Sequence, residues 1–279
     1  MRPLRATAPT MTTPRWTERQ RALLGAMGIR LFAPAATAAT AATAAAPTLA
    51  PTAALPVPQA AVALAPQTAP TRATPSLVAS LDWPALREAV QACRACALGA
   101  TRQQAVFGVG HPRAHWMVVG EAPGEQEDAQ GEPFVGASGQ LLDQMLRALG
   151  LTRSAATPQR QVFITNTLKC RPPKNRNPEA AETAQCAPYL ARQIALVQPR
   201  IVLAMGRVAA QALLGSDEPV GKLRGRVHRV DGVPLVVTYH PAYLLRSPAD
   251  KARAWEDLCL AAEEVAHADA HSGAEADVH

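Results

Sequence analysis

WMVVGEAPG, Trp116 to Gly124, is a short apolar run broken off by a loop of glycine and proline. The run shows no polar alternation, the pattern of a strand buried on both faces of a sheet. The same pattern returns at Val162–Thr165, ended by Asn166, and at Ile201–Met205, ended by Gly206. Val227–Val230 and Leu235–Thr238 flank Asp231-Gly232, a hairpin-turn signal. Helical patterns lie between these runs. Leu141, Leu142, Met145, Leu146 and Leu149 share one apolar face, which Gly150 stops. Trp83–Ala97, Pro178–Val197, Val208–Leu214 and Asp250–Ala266 read as further helices. Strands alternating with helices predict an α/β fold, a three-layer α/β/α sandwich around a mostly parallel central sheet.

Ligands of such sheets bind beyond the carboxyl ends of the strands. Glu121, Asn166 and His240 each follow a strand-like run, so all three are expected at that edge. Four cysteines accompany them: Cys93 and Cys96 two residues apart in a Cys-x2-Cys pair, then Cys170 and Cys186 at the ends of KCRPPKNRNPEAAETAQC. Four thiolates in this pattern point to a metal site, either Zn²⁺ or a [4Fe–4S] cluster, and base rates favour zinc slightly. Cys259 falls within the last helix and reads as a core thiol.

The chain has 279 residues and a formal charge of +6. Residues 250–279 carry two basic and eight acidic side chains, so everything before them is strongly basic. Basic residues gather at Lys169–Arg176 and Lys222–Arg229, a distribution that suits phosphate backbones through counterion release. Residues 33–76 are almost all Ala, Pro and Thr and read as a disordered linker with too little to bury. Residues 1–32 before it include one amphipathic stretch, Thr17–Phe32, read as a short helix. A globular domain is expected over 77–266 and an acidic disordered tail over 267–279. No run is long and apolar enough for a membrane span, and a signal peptide fits poorly. A monomer working in the bacterial cytoplasm at the nucleoid is the expectation, with no membrane partner.

GEAPGEQEDAQGEPFVGASGQLL (Gly120–Leu142), ITNTLKCRPPKNRNP (Ile164–Pro178) and HPAYLLRSP (His240–Pro248) resemble, in order, the three motif regions of the family 4 uracil-DNA glycosylases. The cysteine array matches as well, and the resemblance spans roughly residues 80 to 262. It implies a [4Fe–4S] cluster on Cys93, Cys96, Cys170 and Cys186, reversing the preference for zinc. It also implies a DNA repair hydrolase that flips uracil out of single- or double-stranded DNA and cuts its N-glycosidic bond, leaving an abasic site. Phe134 would stack on the flipped base, Asn166 would read its N3–H and O4, and His240 would donate to O2. Glu121 and Ala122 stand where family 1 enzymes carry Gln and a water-activating Asp. Ala122 brings no carboxylate, so Glu127 or Glu121 is expected to place water. Glu127 would also exclude the thymine methyl, and Glu121 would bond Asn175. Lys169, Arg171, Lys174 and Arg176 would meet phosphates, and Arg246 and Ser247 would enter the groove. Glu125 and Asp128 read as solvated loop acids.

Two other classes compete. A non-enzymatic metal-bearing DNA-binding module explains the cysteines and basic loops, but not three pocket residues at one sheet edge. An electron-transfer protein needs no base-shaped pocket. Within the glycosylases, a variant bonding covalently to the abasic site would carry a basic, His-containing insertion that VGKLRGRVHR does not match.

Overall fold

The computed structural model describes residues 75–276; the readings for residues 1–74 lie outside it. Helices α1 (Pro75–Ala79), α2 (Trp83–Ala92) and α3 (Leu98–Thr101) lead into strands β1 (Val109–Gly110) and β2 (Trp116–Gly120). Then come α4 (Glu125–Gln130), α5 (Ala137–Ala148), β3 (Phe163–Asn166), α6 (Ala180–Val197), β4 (Ile201–Met205), α7 (Arg207–Leu214) and α8 (Val220–Leu223). The chain ends in β5 (Val227–Val230), β6 (Val233–Thr238), α9 (Pro241–Arg246) and α10 (Lys251–Ala276). Among the described residues no helix is long and apolar enough to cross a membrane.

The sheet order is β1-β3-β2-β4-β6-β5. The four inner strands are parallel, and the short outer strands β1 and β5 are antiparallel. Strand alternation sorts the core into two layers. Trp116, Val118, Ile164, Leu203, Met205 and Val236 face α5, α9 and α10 through Leu142, Met145, Leu244, Trp255 and Leu258. Met117, Val119, Phe163, Val202, Ala204 and Val237 face α2, α6 and α7 on the other side. Each inner strand is thus covered on both faces, as its continuous apolar sequence requires. The expected α/β/α sandwich is the observed one.

Several boundaries differ. The first helix stops at Ala92, because Cys93 adopts an extended conformation that turns the Cys-x2-Cys pair out of the helix. Pro178 precedes α6 rather than opening it, and Glu179 is the N-cap. The last helix runs to Ala276, so the tail expected to be disordered from residue 267 is helical over most of its length.

Candidate active site

The parallel strands point their carboxyl ends into one cleft of about 800 Å³. Because β3 and β4 lie on opposite sides of β2, the cleft opens at the point where the strand order reverses. It is lined by Glu121 and Ala122 after β2, Asn166 at the end of β3, Gly206 after β4, and Tyr239 and His240 after β6. Glu127, Phe134, Asn175, Arg176 and Arg246 join them from the loops. The three strand-end residues singled out from sequence therefore share one site.

His240 caps α9, and its Nδ1 accepts the Ala242 N–H at 3.1 Å. Burial, then the charge of Arg246, pushes its pKa down to about 4, against a smaller upward pull from Glu127. Near neutral pH the ring is uncharged. With Nδ1 accepting, the ring proton sits on Nε2, which is left to donate. Asn166 is 2% exposed and its side-chain amide has no hydrogen bond to any described residue. Both of its groups remain for a ligand in the cleft.

Phe134 lies beside them, its ring stacked on the His240 imidazole with centroids 5.3 Å apart and planes at 25°. Its backbone is left-handed, φ 55°, an unfavourable conformation for a bulky residue. Charged side chains hold it there from both sides. Glu127 accepts the N–H groups of Val135 (3.1 Å), Gly136 (3.4 Å) and Gly124 (3.1 Å). Arg153, paired with Asp143 at 2.6 Å, donates to the Pro133 carbonyl at 3.1 Å. Gly139 has no side chain because a Cβ would collide with the Phe134 carbonyl. Gly120 is constrained likewise: a Cβ there would strike both Asn166 Oδ1 and the Phe134 ring.

Glu127 lines the cleft as expected, and its carboxylate also accepts three backbone N–H groups and so clamps the loop. Several expectations are corrected. Asn175 Oδ1 accepts from Arg171 Nε at 2.8 Å, and no bond joins Asn175 to Glu121. The Glu121 side chain has no hydrogen bond to a described residue, and burial raises its pKa. Asp128 is not a solvated acid: it is buried and accepts the N–H groups of Gln103 and Gln104. Lys169 is not a surface cation either, being 1% exposed beneath Asn166. Arg176 lines the cleft but is paired with Glu182 at 2.6 Å and Glu179 at 3.2 Å. Arg246 lines the cleft, Lys174 is exposed outside it, and Ser247 closes α9 through its N–H to the Tyr243 carbonyl. Sequence reasoning missed Ser138, Arg207, Tyr239 and Tyr243 as cleft residues. Tyr239 and Tyr243 stack on each other at 5.2 Å, and adjacency to His240 was the one available signal for them.

Behind the cleft, Cys93, Cys96, Cys170 and Cys186 line one narrow cavity, and none is in a disulfide. Burial pushes the Cys186 thiol up to about 12 and raises that of Cys170. Such thiols ionise only when a positively charged group joins them. Arg102 Nη1 already donates to Cys170 Sγ at 2.9 Å, and the Lys169 N–H donates to Cys186 Sγ at 3.3 Å. Leu98, Leu168 and Ala122 pack around the site. Among the described residues no group of three or more His, Cys, Asp or Glu is gathered so as to hold a metal ion.

Comparison with known proteins gives the family. Residues 107–259 match the family model described as the uracil DNA glycosylase superfamily. The chain belongs to that superfamily. It is 42% identical over 188 residues to a type-4 uracil-DNA glycosylase of Pyrobaculum aerophilum, covering 64% of this chain and 93% of the relative. A type-4 uracil-DNA glycosylase of Sulfurisphaera tokodaii is 45% identical over 172 residues, covering 58% and 76%. A type-5 uracil-DNA glycosylase of Pyrobaculum aerophilum is 37% identical over 147 residues, covering 48% and 64%. The matched superfamily region runs from just before β1 into α10 and so includes every strand of the sheet. It also takes in Glu121, Phe134, Asn166 and His240, while Cys93 and Cys96 precede it.

Proposed function

We propose that this member of the uracil DNA glycosylase superfamily removes uracil from DNA, the first step of base excision repair. The observation that carries the reading is the convergence of an unpaired Asn166 amide and a neutral, Nε2-protonated His240 beside Phe134. The uracil Watson–Crick edge offers an N3–H donor and an O4 acceptor. A single carboxamide complements both, accepting from N3–H and donating to O4. Cytosine reverses the pattern and would leave buried polar groups unpaired, a mismatch that can cost about 10⁴-fold in reactivity. Extruding the base costs a few kcal/mol, which stacking beside Phe134 and the new hydrogen bonds offset.

In the reaction the C1′–N1 bond breaks and its electron pair passes to the base, as N1 and O2 become anionic. His240 Nε2–H donates to O2 as that charge develops. A preorganised donor of this kind contributes about 3–4 kcal/mol. Water then adds at C1′ and loses a proton. Glu121 is the cleft carboxylate with no competing partner, and its burial-raised pKa suits proton acceptance. We assign water placement to Glu121 and loop positioning to Glu127. Arg246 at the cleft mouth meets the DNA backbone. Arg171 and Lys174 extend that basic surface, and Arg176 serves it as a charge fixed by Glu182.

The four cysteines fit a [4Fe–4S] cluster. They share one cavity, and two N–H donors already face their sulfurs. When bound, such a cluster would supply a covalent tie joining the α2–α3 segment (Cys93, Cys96), the β3–α6 loop (Cys170) and α6 itself (Cys186). Work on DNA in the bacterial cytoplasm is part of the same proposal.

The test is excision from an oligonucleotide bearing one uracil, with alkali cleavage of the abasic product. Wild type should cut at uracil and not at cytosine, and His240→Ala should lose about 10²–10³-fold. Absence of cleavage by folded, cluster-bearing wild type would overturn the reading.

A further inference from the structure

We propose that Lys169 is a positioning residue that couples the four-cysteine site to the base-reading Asn166. This inference rests on the glycosylase reading of the cleft. Lys169 belongs to a run of basic residues, yet it lies inside the protein, reaching back beneath the end of β3. Its Nζ donates to the Asn166 carbonyl at 2.7 Å, Thr165 Oγ1 at 2.6 Å and Gln193 Oε1 at 2.7 Å. Thr165 Oγ1 gives its own proton to the Phe107 carbonyl at 2.9 Å, so it accepts from the lysine. Gln193 Nε2 donates to the same carbonyl at 2.8 Å, which fixes its oxygen as an acceptor too. Three acceptors match the three donors of an ammonium, with no N–H left over.

The other end of the same residue belongs to the cysteine site. Its backbone N–H donates to Cys186 Sγ, and the next residue is Cys170. Its carbonyl receives the Val106 N–H at 2.8 Å, tying in the segment that follows Arg102. Arg102 in turn donates to Cys170 Sγ. One residue therefore holds a cluster sulfur through its main chain and the base-reading strand end through its side chain. The short span from Asn166 to Cys170 cannot shift at one end without moving the other. Thr167 and Leu168 in the same span donate to the Gly120 and Glu121 carbonyls at 2.9 and 3.1 Å, so the lip of the cleft at β2 moves with it.

A binding effect carried between two sites is reciprocal. If the cysteine site biases Asn166, uracil on Asn166 biases the cysteine site in return, and the lysine ammonium is the side-chain link between them that substitution can remove. The experiment uses the cluster-bearing full-length protein and free uracil. Affinity is read from intrinsic fluorescence, and the cluster from its visible circular dichroism with and without saturating uracil. In wild type, uracil changes the cluster spectrum. In Lys169→Met, of similar length but with no donor, uracil affinity falls about tenfold, the equivalent of one charge-assisted hydrogen bond, and the uracil-induced spectral change disappears. Thr165→Val, which removes one acceptor at nearly constant volume, shows both effects in the same direction, and carries the test if Lys169→Met does not fold. Unchanged affinity, or a uracil-induced spectral change that persists in the variants, overturns the coupling. Uracil excision by wild type is scored separately, so failure of the glycosylase reading is seen apart from failure of the coupling.

Discussion

Removing the Glu127 carboxylate should release Phe134 and slow excision without unfolding the protein. Its oxygens accept three backbone N–H groups at 3.1, 3.1 and 3.4 Å, one from the loop after β2 and two from the residues after Phe134. Hydrogen bonds to a charged group contribute about 1.5–3 kcal/mol each when buried. This carboxylate is only partly buried, and water replaces part of what is lost. The left-handed conformation of Phe134 adds about 1–2 kcal/mol that the clamp must overcome. Together about 2–4 kcal/mol separates the held loop from a relaxed one, so Glu127→Ala should lower single-turnover excision by about 30- to 900-fold. Glu127→Gln keeps one acceptor oxygen and should lose roughly tenfold. Neither variant should alter the shape of the pH profile, since Glu127 transfers no proton in this scheme. Stopped single-turnover excision, with melting temperature as a folding control, measures this. Activity within twofold of wild type in both variants would refute the clamp. A shifted pH profile would return Glu127 to the role of water-activating residue.

The other expectations are these. With the His240 pKa pushed down to about 4, His240 should add no acid limb in the usual histidine range, and the acid limb of excision should belong to Glu121, whose pKa burial raises, and be lost in Glu121→Gln. The same depression links to stability: as pH drops from 6.5 toward 4 the unfolded chain takes up a proton that the folded chain refuses, so stability decreases through that window, measurable by denaturant titration and reduced in His240→Asn. Gly120→Ala places a methyl against Asn166 and Phe134; overpacking of about 1–3 kcal/mol should weaken free-uracil binding by about 5- to 150-fold, read by fluorescence titration. Cys170→Ala should abolish the broad visible absorbance of the purified protein; a colourless wild type holding one zinc by elemental analysis would contradict the cluster. Arg246→Ala should weaken DNA binding and flatten its salt dependence by about one phosphate contact.

The sheet was legible because its inner strands are buried on both faces, and Trp116–Gly120 and Ile201–Met205 have no choice but to be apolar throughout. The strand-end position of Asn166 and His240 followed from that alone. What stayed hidden depends on contacts remote in sequence. Lys169 and Asp128 read as surface charges, since nothing local reveals the Thr165–Gln193 acceptors or the Gln103 and Gln104 amides that bury them. Nothing local ends α2 at Ala92, since Arg94–Ala97 carries no breaker. The cysteine pair leaves the helix through its tertiary setting. Strand β1, two residues long, is too short for any periodicity. Glu127 looked like chemistry because acids in a glycine-rich loop usually face solvent or ligand, and its partners Val135 and Gly136 lie a loop away.

The parallel strands also act as a ruler. Asn166 ends β3 and His240 follows β6, and the order β3-β2-β4-β6 sets three strand spacings between them, about 14 Å of backbone. Strand spacing is fixed by hydrogen bonding and does not relax by fractions. The separation of the two strand ends is therefore set by the sheet, while the loops that carry Phe134 and Glu127 shape the rest of the cleft.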